Sequence, residues 1–429
     1  MNIADSEVIA SILAKSGYNI TRNIDEAGLI LINTCSIREN AENRIRNRLK
    51  ALGPLKRRKA DLMIGLLGCM AERLRETLFQ TEKLVDLAAG PDAYRDLPGL
   101  IEEAGSGQKA VNVLLSEEET YSDISPVRMD SNGVSSFVSI MRGCDNMCAY
   151  CVVPFVRGVE RSRDPESVLR EIGELSSMGY REITLIGQNV NSYRWVKGNE
   201  TINFAQLLEM AALHDPEIRI RFSTSHPKDI SEELLHTMAK YRNICKHIHL
   251  PAQSGSSRIL KLMNRGYTRE IYMERISAIR RIVPGCSVST DIITGFCSET
   301  EDDHRETLSL MEWAAYDFAY MFKYSARPST KAATEYEDDV PDDVKSLRLR
   351  EIIELQNRLS ERSKKQDVGK VVEVLVEGTS RRSESHLSGR TSQNKVVVFP
   401  AGNARKGDYV NVLIGRCTSA TLIGRIICS

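Results

Sequence analysis

Three closely spaced thiols pose the first chemical question. Cys144, Cys148 and Cys151 form a C-x3-C-x2-C run, and Gly143 just before it lets the backbone turn tightly. Thiolates at this spacing can hold three irons of a cubane cluster and leave the fourth without a protein ligand, open to a small chelating molecule. The competing reading is a structural zinc ion, which is closed by four ligands and normally draws a second Cys or His pair from nearby in the chain. Here the next Cys or His after Cys151 is His214. The spacing therefore favours the open iron–sulfur cluster.

Two more cysteines share a local setting. Asn33-Thr34-Cys35 ends one apolar run and precedes a helical stretch, and Leu67-Gly68-Cys69-Met70 repeats that pattern. Both thiols are thereby expected at the C-terminal edge of a parallel sheet, near helix N-termini whose partial positive charge favours an anion. Taken singly, each would read as a small buried hydrophobe. Cys245, Cys286, Cys297, Cys417 and Cys428 have no paired spacing and read as buried thiols. His247 and His249 lie on an apolar strand, one expected in the core and the other facing a barrel interior.

The elements that must position these residues alternate between strand and helix. Val8, Ile9, Ile12 and Leu13 recur at helical spacing before Gly17, and Leu29 to Ile32 reads as a buried strand. A helix over Glu39 to Leu52, a strand over Leu62 to Leu67, a helix over Met70 to Leu78 and a strand at Val111 to Leu115 complete a small parallel α/β domain. The acidic, Ser-rich stretch from Ser116 to Asn132 reads as an exposed linker.

Beyond it, candidate strands at Phe137 to Met141, Ile183 to Gly187, Arg219 to Phe222, His247 to Leu250, Ser287 to Ile293 and Phe318 to Lys323 are separated by helices. Such a series implies a partial (βα)6 barrel with its chemistry at the C-terminal strand ends. A charged helix from Asp342 to about Lys365 leads to short β-branched runs separated by Gly, Asn and Ser, the pattern of a small β-barrel. The fold class expected is thus α/β: an N-terminal parallel domain over residues 1–116, a partial barrel over 133–365 and a small β-barrel over 366–429.

Composition narrows the field. The 429 residues carry 58 Lys and Arg against 58 Asp and Glu, so the whole-molecule field draws the chain to neither nucleic acid nor an anionic membrane. No apolar run approaches the roughly 20 residues of a membrane span, and Met1 to Ala14 lacks the marks of an export signal, so a cytoplasmic protein without a membrane partner is expected. In that compartment ten cysteines point to metal ligation, redox chemistry or burial rather than to disulfides. Charge is uneven locally: residues 369–429 hold nine Lys and Arg against four Asp and Glu, a net +5. The run Arg44, Arg46, Arg48, Lys50, Lys56, Arg57, Arg58 and Lys59 reads as exposed helical charge.

The longer motifs carry a resemblance. Arg142-Gly143-Cys144-Asp145-Asn146-Met147-Cys148-Ala149-Tyr150-Cys151-Val152-Val153-Pro154-Phe155 resembles the signature of radical S-adenosylmethionine (SAM) enzymes. Val156-Arg157-Gly158-Val159-Glu160-Arg161-Ser162-Arg163, Gly187-Gln188-Asn189-Val190-Asn191-Ser192-Tyr193 and Phe222-Ser223-Thr224-Ser225-His226-Pro227 are similar to the tRNA-2-methylthio-N6-dimethylallyladenosine synthases, the MiaB family. The similarity continues through His249-Leu250-Pro251-Ala252-Gln253-Ser254-Gly255-Ser256 and Ser289-Thr290-Asp291-Ile292-Ile293-Thr294-Gly295-Phe296, and it spans nearly the whole chain.

The resemblance implies a methylthiotransferase that replaces the carbon 2 hydrogen of an isopentenyl-modified adenosine beside the tRNA anticodon. It implies SAM and two 4Fe-4S clusters, one on Cys144, Cys148 and Cys151 and a second on three N-terminal cysteines, Cys35 and Cys69 among them. In the family one SAM methylates a sulfur at the second cluster, and another is cleaved to a 5′-deoxyadenosyl radical that takes the hydrogen. No catalytic side chain is therefore expected. Met1-Asn2-Ile3-Ala4-Asp5-Ser6-Glu7 resembles the family's Cys-x-Met-Asn-x-x-Asp-Ser-Glu, so the third ligand is expected two residues before Met1, in a longer chain.

Position at strand ends together with the resemblance suggests SAM contacts at Tyr150, Gly187, Gln188, Asn189, Ser223, Ser225, Gln253, Arg265 and Asp291. The basic C-terminal barrel resembles a TRAM domain, through Gly389-Arg390-Thr391 and Gln393-Asn394-Lys395, and Arg381, Arg382, Arg390 and Lys395 are the expected phosphate contacts for the anticodon stem-loop. An electron donor is implied as a partner, and a monomer is expected. The nearest alternatives are sister methylthiotransferases acting on threonylcarbamoyl-adenosine in tRNA or on a ribosomal-protein aspartate. Val152-Val153-Pro154-Phe155 and Gln188-Asn189-Val190-Asn191-Ser192-Tyr193 favour the isopentenyl-adenosine branch. From another class, a non-catalytic iron–sulfur or zinc RNA-binding protein would be marked by a colourless, zinc-containing preparation.

Overall fold

The computed structural model describes all residues except 36–38, 76, 130–131 and 428–429, so Cys428 lies outside the described residues. The chain forms two compact units. The first comprises Met1–Asp130, Met141–Arg163 and Arg327–Thr330, and the second Ser131–Ile140, Asp164–Ala326 and Lys331–Ser429. This division departs from the boundaries expected above, because the segment carrying Cys144, Cys148 and Cys151 packs with the N-terminal residues.

The first unit is built on four parallel strands in sequential order: β1 (Leu29–Thr34), β2 (Met63–Gly68), β3 (Leu87–Ala89) and β4 (Ala110–Asn112). Alternation along β2 sends Leu67 to one face, with Val8, Ile9 and Leu13 of the helix Asn2–Lys15, and Ile64 and Leu66 to the other, with Leu49, Leu52 and Leu55 of the helix Glu39–Arg58. Each such side chain contributes about 1.5–3 kcal/mol by leaving water. A side chain in place of Gly65 would put its Cβ 2.5 Å from the Leu31 side chain and 2.8 Å from that of Leu87, so both leucines would have to repack to admit it.

Three expectations change here. Leu87–Ala89 is a strand too short to show a period. The single helix expected over Met70 to Leu78 is two, Cys69–Leu74 and Thr77–Thr81, broken where Arg75 turns to φ +50°. The stretch expected to be an exposed linker is anchored: Tyr121 and Ile124 are buried, and Tyr121 donates to the Pro91 carbonyl at 3.0 Å and stacks on Tyr94. Its acids pair with Arg95, so the charge that suggested solvent instead fastens the segment.

In the second unit six parallel strands follow in order: β5 (Ser135–Ser139), β6 (Glu182–Ile186), β7 (Arg219–Ser223), β8 (His247–His249), β9 (Ser287–Thr294) and β10 (Phe318–Lys323). They pair as two three-stranded sheets, joined between β7 and β8 by the parallel bridge Ile220↔Ile244 and by the Cys245 amide donating to Ile220. Crossover helices return the chain, and their starts are written locally: Asp164, Asn203, Ser231, Thr268 and Thr300 each accept from the backbone of the first turn, Asn203 and Thr300 as capping boxes.

The helix Asp342–Lys365 leads to a closed barrel of β11 (Val371–Ser380), β12 (Ser383–Arg390), β13 (Val396–Pro400), β14 (Tyr409–Cys417) and β15 (Leu422–Ile426) around Val374, Val376, Val397, Phe399, Val412, Ile414 and Leu422. Its β12–β13 loop closes the N-terminal end of the strand array. Arg219 donates to the Arg390 carbonyl at 2.9 Å, Arg221 to the carbonyls of Thr391 and Ser392 at 2.6 and 3.0 Å, and Ser287 to the Gln393 carbonyl at 2.6 Å. Among the described residues no helix is long and apolar enough to cross a membrane.

Candidate active site: a cysteine loop and a polar strand edge

In the first unit the cysteine loop is tied at its base by a short antiparallel pair, Met141–Arg142 with Arg161–Ser162. Gly143 has φ +77°, and a Cβ there would stand 1.8 Å from the Val159 carbonyl, which explains why glycine precedes the thiols. The Cys144 amide donates to Gly158 at 3.1 Å and the Cys151 amide to Cys148 at 3.0 Å. Cys148 is buried, Cys144 and Cys151 are half-buried, and burial pushes the Cys144 thiol up to about 11. Thiols so placed become thiolates when bound metal neutralises them, so the donor set fits an iron–sulfur cluster. Among the described residues no three His, Cys, Asp or Glu side chains converge on one metal ion, whereas a cubane takes each thiolate on a different iron.

Cys35 follows the last residue of β1 and Cys69 begins the helix after β2, both at the C-terminal sheet edge. Thr34 fixes that edge: its hydroxyl donates to Leu67 at 2.6 Å and accepts from the Met70 amide at 3.1 Å. Cys69 is buried and packs with Val152 and Val156, so it adjoins the chain immediately after Cys151. Burial raises the Cys69 thiol, opposed by the positive charge of Arg157.

Sequence reasoning missed the charged lattice beneath. Asp5 accepts from Arg142 at 2.8 Å and Arg157 at 2.7 Å, and Asp92 accepts from Arg161 at 2.7 Å, all buried. Burial would raise the Asp5 carboxyl, yet the two guanidiniums hold it well below the usual carboxylate range. The signal was present, since Asp5, Arg142 and Arg157 all lie in motifs quoted above, but charge alone reads as surface.

In the second unit the suggested SAM contacts, apart from Tyr150 on the cysteine loop, gather at the C-terminal strand ends. Backbone bonds carry this edge from strand to strand: Gly187 donates to Ser223, Val190 to Thr224, Ser225 to His249 and Gln253 to Asp291, at 2.8–3.2 Å. Arg265 reaches the same edge from beyond the next helix, with Nε donating to the Tyr267 hydroxyl at 3.0 Å and Nη2 to the Pro251 carbonyl at 3.3 Å. Gln253 is held at φ +67°, a conformation a non-glycine residue adopts only under constraint. Buried polar atoms here have no partner among the described residues: Oε1 of Gln188 and Gln253, Oδ1 of Asn189, Oγ of Ser225 and Nε2 of His226. Such a cluster suits a polar ligand. His226 was not among the expected contacts.

Other placements differ from expectation. His247 and His249, two residues apart on a strand, share one face rather than dividing between core and interior, and both bond the Ser289 hydroxyl at 3.0 Å. Of the remaining described cysteines, Cys245 and Cys297 are buried, while Cys286 and Cys417 are only half-buried. Arg381 and Arg382 stand exposed on the β11–β12 turn. Lys395 is drawn between Asp367 at 2.7 Å and Asp317 at 3.5 Å, whereas Arg390, its side chain 37% exposed, pairs with Glu377 at 3.1 Å.

An arc of six parallel strands and a three-cysteine loop define a radical SAM protein, and the Radical SAM superfamily model matches residues 138–311. The model described as Uncharacterized protein family UPF0004 matches residues 1–90, and the TRAM domain model residues 365–427. The chain is 58% identical over 438 residues to a tRNA-2-methylthio-N(6)-dimethylallyladenosine synthase of Amoebophilus asiaticus, covering 99% of this chain and 90% of that protein. It is 58% identical over 425 residues to the protein of that name from Phocaeicola vulgatus, covering 99% and 93%. It therefore belongs to the family of tRNA-2-methylthio-N(6)-dimethylallyladenosine synthases and uses SAM and a 4Fe-4S cluster. The fold is shared with the solved radical SAM methyltransferase TsrM of Kitasatospora setae, at a TM-score of 0.59 and 14% identity over 78% of this chain and 73% of that one.

Proposed function

We propose that the chain converts N6-isopentenyladenosine beside the tRNA anticodon to its 2-methylthio derivative. What carries the reading is likeness over nearly the full length to synthases of that name, with the three-thiol loop and polar strand edge that this chemistry requires. An aromatic C–H is too weakly acidic for a side-chain base, so the protein's work is placement and exclusion of water. Cys144, Cys148 and Cys151 hold the cluster, and the strand-edge residues Asn189, Ser225, Gln253 and Arg265 hold SAM. Bound there, the cluster would relay an electron from an external donor to SAM, and the pair would supply the capacity to remove a hydrogen atom from an unactivated position.

Cys35 and Cys69 are assigned to a second 4Fe-4S cluster that carries the sulfur to be transferred. In support, their sheet edge has a guanidinium beside Cys69, and Arg157 keeps a buried Nη1 without an acceptor among the described residues, as an anionic group there would require. In this division of labour residues 1–116 serve the second cluster, 133–365 the radical chemistry and 366–429 the tRNA, with the exposed Arg381 and Arg382 contacting phosphate. An external donor must supply the electron. The test is mass spectrometry of nucleosides from isopentenylated tRNA incubated with reconstituted protein, SAM and reductant. The expected product is 2-methylthio-isopentenyladenosine, and product on threonylcarbamoyl-adenosine instead would refute the assignment.

A further inference from the structure

His226 lies just past β7 and is 6% exposed. Its Nδ1 accepts the Lys228 amide at 3.2 Å, which places the ring proton on Nε2. That Nε2 is buried and has no acceptor among the described residues. A buried N–H left in this state forfeits a hydrogen bond unless a ligand provides one. The nearby acid does not serve: Asp229 takes Asn189 at 2.7 Å and stands 3.9 Å from Nδ1, on the other side of the ring.

The ring is fixed by its neighbours. It meets Tyr267 edge to face at 5.6 Å, and the Arg265 guanidinium lies 5.4 Å from the same tyrosine ring and donates to its hydroxyl. Burial first, and then Arg265 and Lys228, push the imidazole down to about 2, so it remains a neutral donor throughout the physiological range. A neutral N–H and a guanidinium around one tyrosine call for an anionic oxygen. SAM has one anionic group, its carboxylate; the ribose and adenine offer neutral acceptors.

We propose that His226 donates through Nε2 to the carboxylate of SAM, beside Arg265, and so positions the amino-acid end of the cofactor. This rests on the radical SAM reading given above. The test compares the reconstituted protein with its His226→Leu and His226→Gln variants, measuring anaerobic equilibrium binding of SAM and of 5′-methylthioadenosine, which keeps the nucleoside and lacks the carboxylate. His226→Leu is expected to weaken SAM by about 10- to 100-fold, the worth of one hydrogen bond to a charged group, and to leave 5′-methylthioadenosine unchanged. His226→Gln, whose amide N–H reaches the position of Nε2, should bind SAM within about threefold of the unaltered protein.

Unchanged SAM affinity in His226→Leu would overturn the proposal. So would an equal loss for 5′-methylthioadenosine, which would place the contact on the nucleoside, or a loss in His226→Gln as large as in His226→Leu. Failure of the unaltered protein to bind SAM would instead strike the underlying reading.

Discussion

Asp5 and Glu72 are two buried carboxyls with opposite fates. Asp5 sits between Arg142 and Arg157 and is held ionised. Its folded pKa is depressed, so its contribution is present above the unfolded value of 3.8 and is lost as pH falls through the lower folded value. Asp5→Asn leaves two guanidiniums facing an amide and should cost about 3–5 kcal/mol near neutrality. Denaturant midpoints from pH 3 to 7 check this, and equal midpoints at pH 7 would contradict it. Glu72 is buried on the helix that begins with Cys69, with Arg75 at 3.5 Å, and burial pushes it up to about 7. A raised carboxyl contributes stability that is complete below its ordinary 4.5 and fades as pH rises through about 7. Glu72→Gln should flatten that part of the profile and be the more stable form at pH 8. An unaltered slope would show that the carboxyl is well solvated.

Among the elements, the β12–β13 loop separates two kinds of basic residue that look alike in sequence. Arg381→Ala with Arg382→Ala should flatten the plot of log tRNA affinity against log salt by about one to two units, at 0.7–0.9 per phosphate contact. Lys395→Ala should leave that slope alone and lower the melting temperature, because it leaves Asp367 and Asp317 facing each other across the dock. Salt titrations of binding and thermal melts separate the two outcomes. That distinction was not legible in the chain, where Arg381 and Lys395 differ only by their places in a basic segment.

What was legible were the features with a local cause: the six apolar runs that form the strands of the arc and the glycine before the thiols. What was hidden depended on distant partners. Tyr121 is buried because Pro91 and Tyr94 await it, and Lys395 is claimed by residues 28 and 78 positions away. Of the strand-edge site, the polar residues on the strand ends could be read from position, whereas the unsatisfied nitrogen of His226 depends on the Lys228 amide and exists only in the folded chain.

For the molecule as a whole, formal neutrality leaves affinity and chemistry to local groups. The three-cysteine loop belongs to the first unit and the small barrel to the second. Cys148→Ala should therefore abolish 5′-deoxyadenosine formation while tRNA affinity and its salt slope persist, with filter binding and nucleoside chromatography as the checks. Undiminished SAM cleavage in that variant would remove Cys148 from the cluster. The dock beneath the strand arc also bears on engineering. A graft that exchanged residues 366–429 for another RNA-binding barrel would carry away the Arg390 carbonyl and Glu373 that hold the buried Arg219 and the two carbonyls that hold Arg221, leaving Arg221 its pair with Glu182 at 2.8 Å. A hybrid built to change tRNA preference would thus have to retain the Arg390 to Lys395 segment as a graft junction. A simple C-terminal deletion would measure the opening of the core as much as the loss of tRNA contact.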